Sequence, residues 1–285
     1  MHAREKPCWE TVVRLDVLTL RTFYFGPLGV MAQRMILRRT LALWPDAQGQ
    51  DVLGFGYATP FLEPYRASAR RVVSFMPWEQ GVERWPGDGP AASALGDVER
   101  LPFRDAVFDK VIIAHALEET TALRPLLREV WRIMAPEGRL LVIAANRRGL
   151  WSRADSTPFG HGRPYSQNQL ATALGEAMFQ PVAWARAVYA PPAAWGPVLG
   201  AADAWERAGE RFWPHFAGVV LAEAVKRLYA GAGGTKGRIL FAGAAQPAAT
   251  GLRKGDVSSN LHTKHRHQGQ QLHEVRYRNH QTEPP

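Results

Sequence analysis

Apolar residues fall along this chain in two rhythms. From Trp9 to Trp44, Leu15, Leu18, Phe23, Leu28, Met31, Met35, Leu37 and Leu41 recur among arginines at loosely helical spacing. Gly26-Pro27 interrupts them, so the pattern predicts two helices with a kink or short loop over Phe25 to Gly29. Short apolar runs then take over. Val52 to Phe55 and Arg71 to Met76 read as strands, with a helix from about Phe61 to Ala69 between them, a unit that closes as a right-handed parallel crossover. Ala91 to Leu95 and Val107 to Ala114 predict two more strands, and Leu123 to Met134 a helix. Arg139 to Ala145 is apolar throughout except at its first residue, as the centre of a sheet covered on both faces should be. Ser166 and Gln169 form a capping-box pattern that opens a helix to about Phe179. A strand from Pro181 to about Tyr189, a helix from about Leu199 to Phe212 and a last strand from Val219 to Tyr229 complete the pattern.

This alternation predicts an α/β fold, a Rossmann-like doubly wound sheet with ligands beyond the carboxyl ends of its strands. The domain reading is an N-terminal helical cap at 1–45, the Rossmann-like domain at 46–232, and a basic, mostly disordered tail at 233–285. Gly237 to Gly243 could add a short strand. Beyond Gln246 the chain is polar, rich in His, Gln and Arg, and nearly free of aliphatic clusters.

Charge alters the picture only at one end. The formal net charge of the 285 residues is +9. From Gly233 to Pro285 there are eight Lys/Arg against three Asp/Glu, which leaves 35 − 8 = 27 against 26 − 3 = 23 in the rest. Most of the excess therefore belongs to the tail, and a nucleic-acid partner is not expected from the globular part. The single cysteine, Cys8, excludes an internal disulfide and a multi-cysteine zinc site. No apolar run approaches the ~18 residues of a membrane span, and Met1 to Glu10 lacks the apolar core of a secretory signal, so a cytoplasmic protein is expected.

Candidate chemistry begins at Asp51-Val-Leu-Gly-Phe-Gly-Tyr-Ala-Thr-Pro-Phe-Leu62, where an apolar strand enters a Gly-x-Gly turn. A dinucleotide fingerprint would place a third glycine at Thr59, and it is absent. Three later stretches are more telling: Gly-Asp-Val-Glu-Arg-Leu-Pro-Phe at 96–103, Val107-Phe-Asp-Lys-Val-Ile-Ile-Ala-His-Ala-Leu-Glu118, and Leu127-Arg-Glu-Val-Trp-Arg-Ile-Met-Ala-Pro-Glu-Gly-Arg-Leu-Leu-Val142. With the turn at 52–60 they resemble, in order, the motifs of the class I S-adenosylmethionine-dependent methyltransferases of type 11, the first motif being degenerate.

The resemblance covers roughly residues 45 to 190 and implies a seven-stranded mixed sheet whose last strand is antiparallel. It implies S-adenosyl-L-methionine as cofactor and methyl transfer to a small or medium-sized acceptor. Carried over residue by residue, it places Gly54, Phe55, Gly56, Tyr57, Ala58, Met76, Asp97, Val98 and His115 at the cofactor, with Asp97 at the adenine amino group. Two family carboxylates are missing, because Gly54 and Met76 stand where acidic residues are usual. Glu79 offers a substitute for the ribose hydroxyls. The alternative is a methyltransferase-like binding or regulatory protein without cofactor affinity.

His115 is the candidate base, or else a packed, hydrogen-bonded histidine. Glu118 and Glu119 either close a substrate pocket or start the following helix, and the helix start is the preferred reading. The segments Asn146 to Arg153 and Thr157 to Tyr165 follow the strongest strand and should form a substrate-side loop, with Asn146, Phe159, His161, Arg163 and Tyr165 as contacts. Tyr24 joins them from the N-terminal helices, either folded over the cofactor or as core. No metal site is expected.

Overall fold

In the computed structural model, residues 15–227 and a strand at 240–241 are described. Cys8 and the predicted tail beyond Gln246 lie outside the described residues.

Two helices precede the sheet, α1 (Val17–Phe25) and α2 (Pro27–Leu43). Asp16 caps α1 by accepting from the Leu18 and Thr19 amides, and Gly26-Pro27 ends one helix and starts the next. A Cβ on Gly29 would collide with the Phe23 backbone, so glycine lets the two helices cross closely.

The strands are β1 (Asp51–Gly56), β2 (Arg71–Pro77), β3 (Ser93–Gly96), β4 (Phe108–Ala114), β5 (Met134–Ala145), β6 (Phe179–Ala187), β7 (Val219–Lys226) and the two-residue β8 (Leu240–Phe241). Their order is β3-β2-β1-β4-β5-β7-β6-β8. Strands β1 to β5 pair in parallel, β7 runs antiparallel to both β5 and β6, and β8 extends the predicted seven-stranded mixed sheet. Every residue of β1 and β7 is buried, as central strands covered on both faces must be.

One face carries α1, α2 and the one-turn helix α3 (Thr59–Leu62); the other carries α4 (Leu123–Ile133) and α5 (Gln167–Glu176). Helix α4 is amphipathic, burying Leu126, Leu127, Val130 and Ile133. The Ser166–Gln169 capping box forms with both of its hydrogen bonds. Helices α6 (Gly196–Gly200) and α7 (Ala202–Phe212) lead into β7.

Two expectations are corrected. The helix expected over 61–69 is one α-turn followed by a 3-10 turn at Glu63–Tyr65, because Pro64 brings no N–H to an α-helical ladder. Glu118 and Glu119 do not open a helix: α4 starts at Leu123, and both glutamates are buried in the preceding loop.

Parallel strands on either side of β1 bring the carboxyl ends of β1, β2, β4 and β5 to one edge of the sheet. The chain leaves β1 toward β2 on one side and β4 lies on the other, so the switch in strand order falls between β1 and β4. Among the described residues no helix is long and apolar enough to cross a membrane, and no cluster of His, Cys, Asp or Glu could hold a metal ion.

Candidate active site

The switch-point crevice is filled by rings. Tyr24 of α1 reaches over the sheet edge and places its hydroxyl 2.7 Å from His115 Nε2. Its ring stacks on Tyr57 at 5.8 Å between centroids, and the His115 ring meets Phe159 at 4.8 Å. All four side chains are buried.

His115 adopts φ 50° where the chain turns off β4, and its carbonyl accepts from Gln80 Nε2 at 2.9 Å. Burial lowers its pKa to about 3, so the imidazole is neutral near pH 7. Burial raises the Tyr24 hydroxyl well above the usual phenol value, with the Tyr57 and Glu118 charges adding to it. Tyr24 therefore keeps its proton, and in the tautomer with Nε2 bare it donates to His115.

Glu118 sits behind this pair. One carboxyl oxygen accepts from the Ala145 amide at 2.9 Å, and the other is buried without a hydrogen-bond partner. Burial raises its pKa, which favours the protonated form.

The glycines of the first motif meet protein atoms. A Cβ on Gly54 would stand 2.5 Å from Leu62 Cδ1, and one on Gly56, at φ 75°, would strike the Ala114 carbonyl. Gly54 thus lets α3 pack down, and Gly56 lets β1 turn off against β4. Phe55, Ala58 and Met76 have no exposed surface, and Val98 is core. Asp97 is exposed and accepts from the Glu99 amide at 2.8 Å, closing its own turn.

Beside the crevice lies a cavity of about 620 Å³ between α1, the β1 turn and the loop after β2; its wall includes Arg21, Tyr24, Tyr57, Thr59, Glu83 and Trp85. This volume is within the range of about 300–1,000 Å³ common for small-molecule sites. Across the cavity Thr59 Oγ1 donates to Glu83 Oε1 at 3.0 Å. Burial, and next the Glu83 carboxylate, raise the Tyr57 hydroxyl, while Arg21 pulls the other way.

Of the residues singled out in sequence, Tyr24, Tyr57, His115 and Phe159 come together. Ala58 and Met76 belong to the same apolar cluster, and the substrate-side candidates of the 146–165 segment other than Phe159 lie elsewhere. Asn146 lies at a separate polar cavity, and Arg163 and Tyr165 line a third. Tyr165 Oη donates to the Leu117 carbonyl at 2.9 Å, and His161 Nε2 is 2.8 Å from the Asp155 carbonyl. Two carboxylates stand on the cavity wall, Glu63, which accepts from Arg66 at 2.6 Å, and Glu83, four residues past Glu79. The only sequence signal of Glu83 is an acidic side chain in the loop after β2.

Residues 52–142 match the family described as "Methyltransferase domain". Over this stretch the chain is similar to the class I methyltransferase domains. Its fold is shared by solved structures: the putative methyltransferase solved with its Trm112 activator from Haloferax volcanii has 19% identity and a TM-score of 0.52, covering 73% of this chain and 97% of that one. A methyltransferase from Thermotoga maritima, described as a possible histamine N-methyltransferase, has 15% identity and a TM-score of 0.50 over 73% and 94%. Among curated proteins, the ubiquinone/menaquinone biosynthesis C-methyltransferase UbiE of Rubrivivax gelatinosus is 27% identical over 123 residues, 42% of this chain and 49% of that one. The Caulobacter vibrioides counterpart is 34% identical over 67 residues, 24% and 26% of the two chains. The chain thus spans half or less of the length of these curated relatives.

S-adenosyl-L-methionine is the cofactor of this family. The cavity beside the crevice offers the donor set such a ligand needs: a carboxylate, Glu83, for hydroxyls; a guanidinium, Arg21, for a carboxylate; and the Tyr57 and Trp85 rings for flat or cationic groups. In chemistry and volume the residues present fit the cofactor.

Proposed function

We propose that this chain transfers a methyl group from S-adenosyl-L-methionine to a small or medium-sized acceptor in the cavity between α1, the β1 turn and the loop after β2. The observation that carries this reading is the Thr59–Glu83 contact across that cavity: it sets a carboxylate from the loop after β2 against the β1 turn, although Met76 has replaced the usual acid. When bound, the cofactor supplies an electrophilic methyl on a sulfonium.

Everything else falls to the protein. Glu83 would hold the ribose hydroxyls and Arg21 the carboxylate of the amino-acid part. Tyr24 and Tyr57 wall off water, which strengthens each polar contact inside. His115, with its pKa at about 3, is a poor resting base; its part is to fix the Tyr24 hydroxyl by the 2.7 Å bond and so to orient a polar group at the cavity wall. Methyl transfer needs mainly positioning and desolvation, and this arrangement supplies both.

A calorimetric titration of the full chain with S-adenosylmethionine and with its demethylated product tests the reading. Micromolar binding is expected, weakened by about tenfold or more in Glu83→Gln, since a hydrogen bond to a charged group contributes ~1.5–3 kcal/mol. Absence of heat and of any thermal shift at millimolar ligand would favour a second reading, a methyltransferase-like binding protein without the cofactor. That reading draws on Gly54 beneath Leu62 and on the sealed Met76, which leave both family carboxylate positions filled by apolar packing.

A further inference from the structure

We infer that the domain carries a second site, built from Arg148, Arg186 and His215, that binds a phosphate group. These side chains line a polar cavity of about 280 Å³ beyond the ends of β5 and β6, together with Asn146, Gln167 and Asn168. No carboxylate is among its lining residues.

Several arginines around the sheet are neutralised where they stand. Arg70 and Arg71 meet Asp51, Arg132 meets Glu129 and Asp105, and Arg139 meets Glu223. Arg186 is held differently. Its Nη2 donates to the neutral Gln167 Oε1 at 2.6 Å, which fixes the guanidinium without cancelling its charge.

The opposite wall is held by one buried amide. Asn146 Nδ2 donates to the His215 and Ala217 carbonyls at 3.0 and 2.7 Å, and its Oδ1 accepts from the Arg148 amide at 3.3 Å. A single side chain thus sets the backbone on which both Arg148 and His215 stand. Two permanently charged forks and an imidazole, with neutral amides between them, are a donor set for a tetrahedral oxyanion. The volume suits one phosphate group with its water rather than a nucleotide.

The phosphate could belong to a soluble compound or to a lipid headgroup. Leu150, Phe212, Trp213 and Phe216, close in sequence to Arg148 and His215, are exposed apolar side chains of the kind that enter a bilayer interface. The proposal does not rest on methyl transfer, and its test needs no methyl donor.

The experiment is calorimetric titration of the full chain with inorganic phosphate against potassium chloride at equal ionic strength. Saturable phosphate binding is expected, with about a tenfold loss for each of Arg148→Gln and Arg186→Gln. A response no larger than that of chloride, or unchanged affinity in the double variant, overturns the site. Should Arg186→Gln fail to fold, the exposed Arg148 alone decides, read with circular dichroism as the folding control. Sedimentation with phosphatidylglycerol vesicles but not phosphatidylcholine vesicles, competed by phosphate, supports the site with a headgroup as its ligand. Phosphate binding without sedimentation supports it with a soluble ligand, and vesicle binding that persists in the double variant overturns a headgroup role.

Discussion

The two edges of this sheet handle ionisable groups in opposite ways. At the edge where the parallel strands begin, charges are paired or tied down. Arg70 grips Asp51 through two hydrogen bonds of 3.0 and 2.7 Å, and this holds the carboxyl below the usual carboxylate range. Glu223 accepts from Trp44 Nε1 at 2.9 Å and from Arg139 at 2.7 Å. Lys110 Nζ donates to the Asp46 carbonyl and lies 5.2 Å from the Trp44 ring centroid.

At the edge where the strands end, Tyr24, His115 and Glu118 are stripped of charge by burial. Pairing keeps a group ionised and desolvation keeps it neutral. The lesson is one of field: with Tyr24, His115 and Glu118 neutral, an incoming ligand at the crevice feels chiefly the charged side chains of the adjoining cavity wall, Arg21 and Glu83 among them.

The sharpest way to break this contrast is Tyr24→Ala. Removing a buried aromatic ring should cost about 3–5 kcal/mol, measured as a shift of the urea midpoint. Water admitted to His115 should also move its NMR titration from about 3 toward 6.5.

At the other edge, Glu223→Leu strands the buried Trp44 N–H, an expected loss of about 1–3 kcal/mol in the same measurement.

A pH series separates the edges further. His115 is neutral in the folded state and protonates in the unfolded state below about 6.5, so the unfolded chain binds the extra proton and stability falls as pH drops from 6.5 toward 3. The slope is ~1.4 kcal/mol per pH unit within that window, and His115→Gln should remove it. Asp51, with its lowered pKa, contributes stability that disappears only as pH falls through its own depressed value.

The smallest expected effect is the most discriminating. Glu118→Gln keeps the acceptor for the Ala145 amide and removes the ionisation that burial opposes, so stability at pH 7 should change by less than about 0.5 kcal/mol, or rise. Asp51→Asn should lose up to about 1 kcal/mol, modest because Arg70 and Arg71 are largely exposed.

Element types were readable because the helical and strand-like apolar periods are distinct. The capping box at Ser166 and the break at Gly26-Pro27 form as their local chemistry dictates. The site was less legible, because a motif residue can be kept for packing: Gly54 and Gly56 occupy turn positions that the resemblance assigns to the cofactor, yet their space is taken by Leu62 and the Ala114 carbonyl. Glu83 escaped notice since its link to Thr59 bridges 24 residues through a loop without periodic signal. Glu118 and Glu119 fitted a helix start by charge alone, and only the tertiary fold buries them.

The Tyr24–His115 contact joins residues 91 positions apart. On a ribosome α1 emerges long before β4, and chains of this size assemble as their later parts become available. The tyrosine has no histidine to meet until the fourth strand has joined the first. This contact therefore forms only after β4 has been made, and its formation marks a chain whose first and fourth strands are already paired.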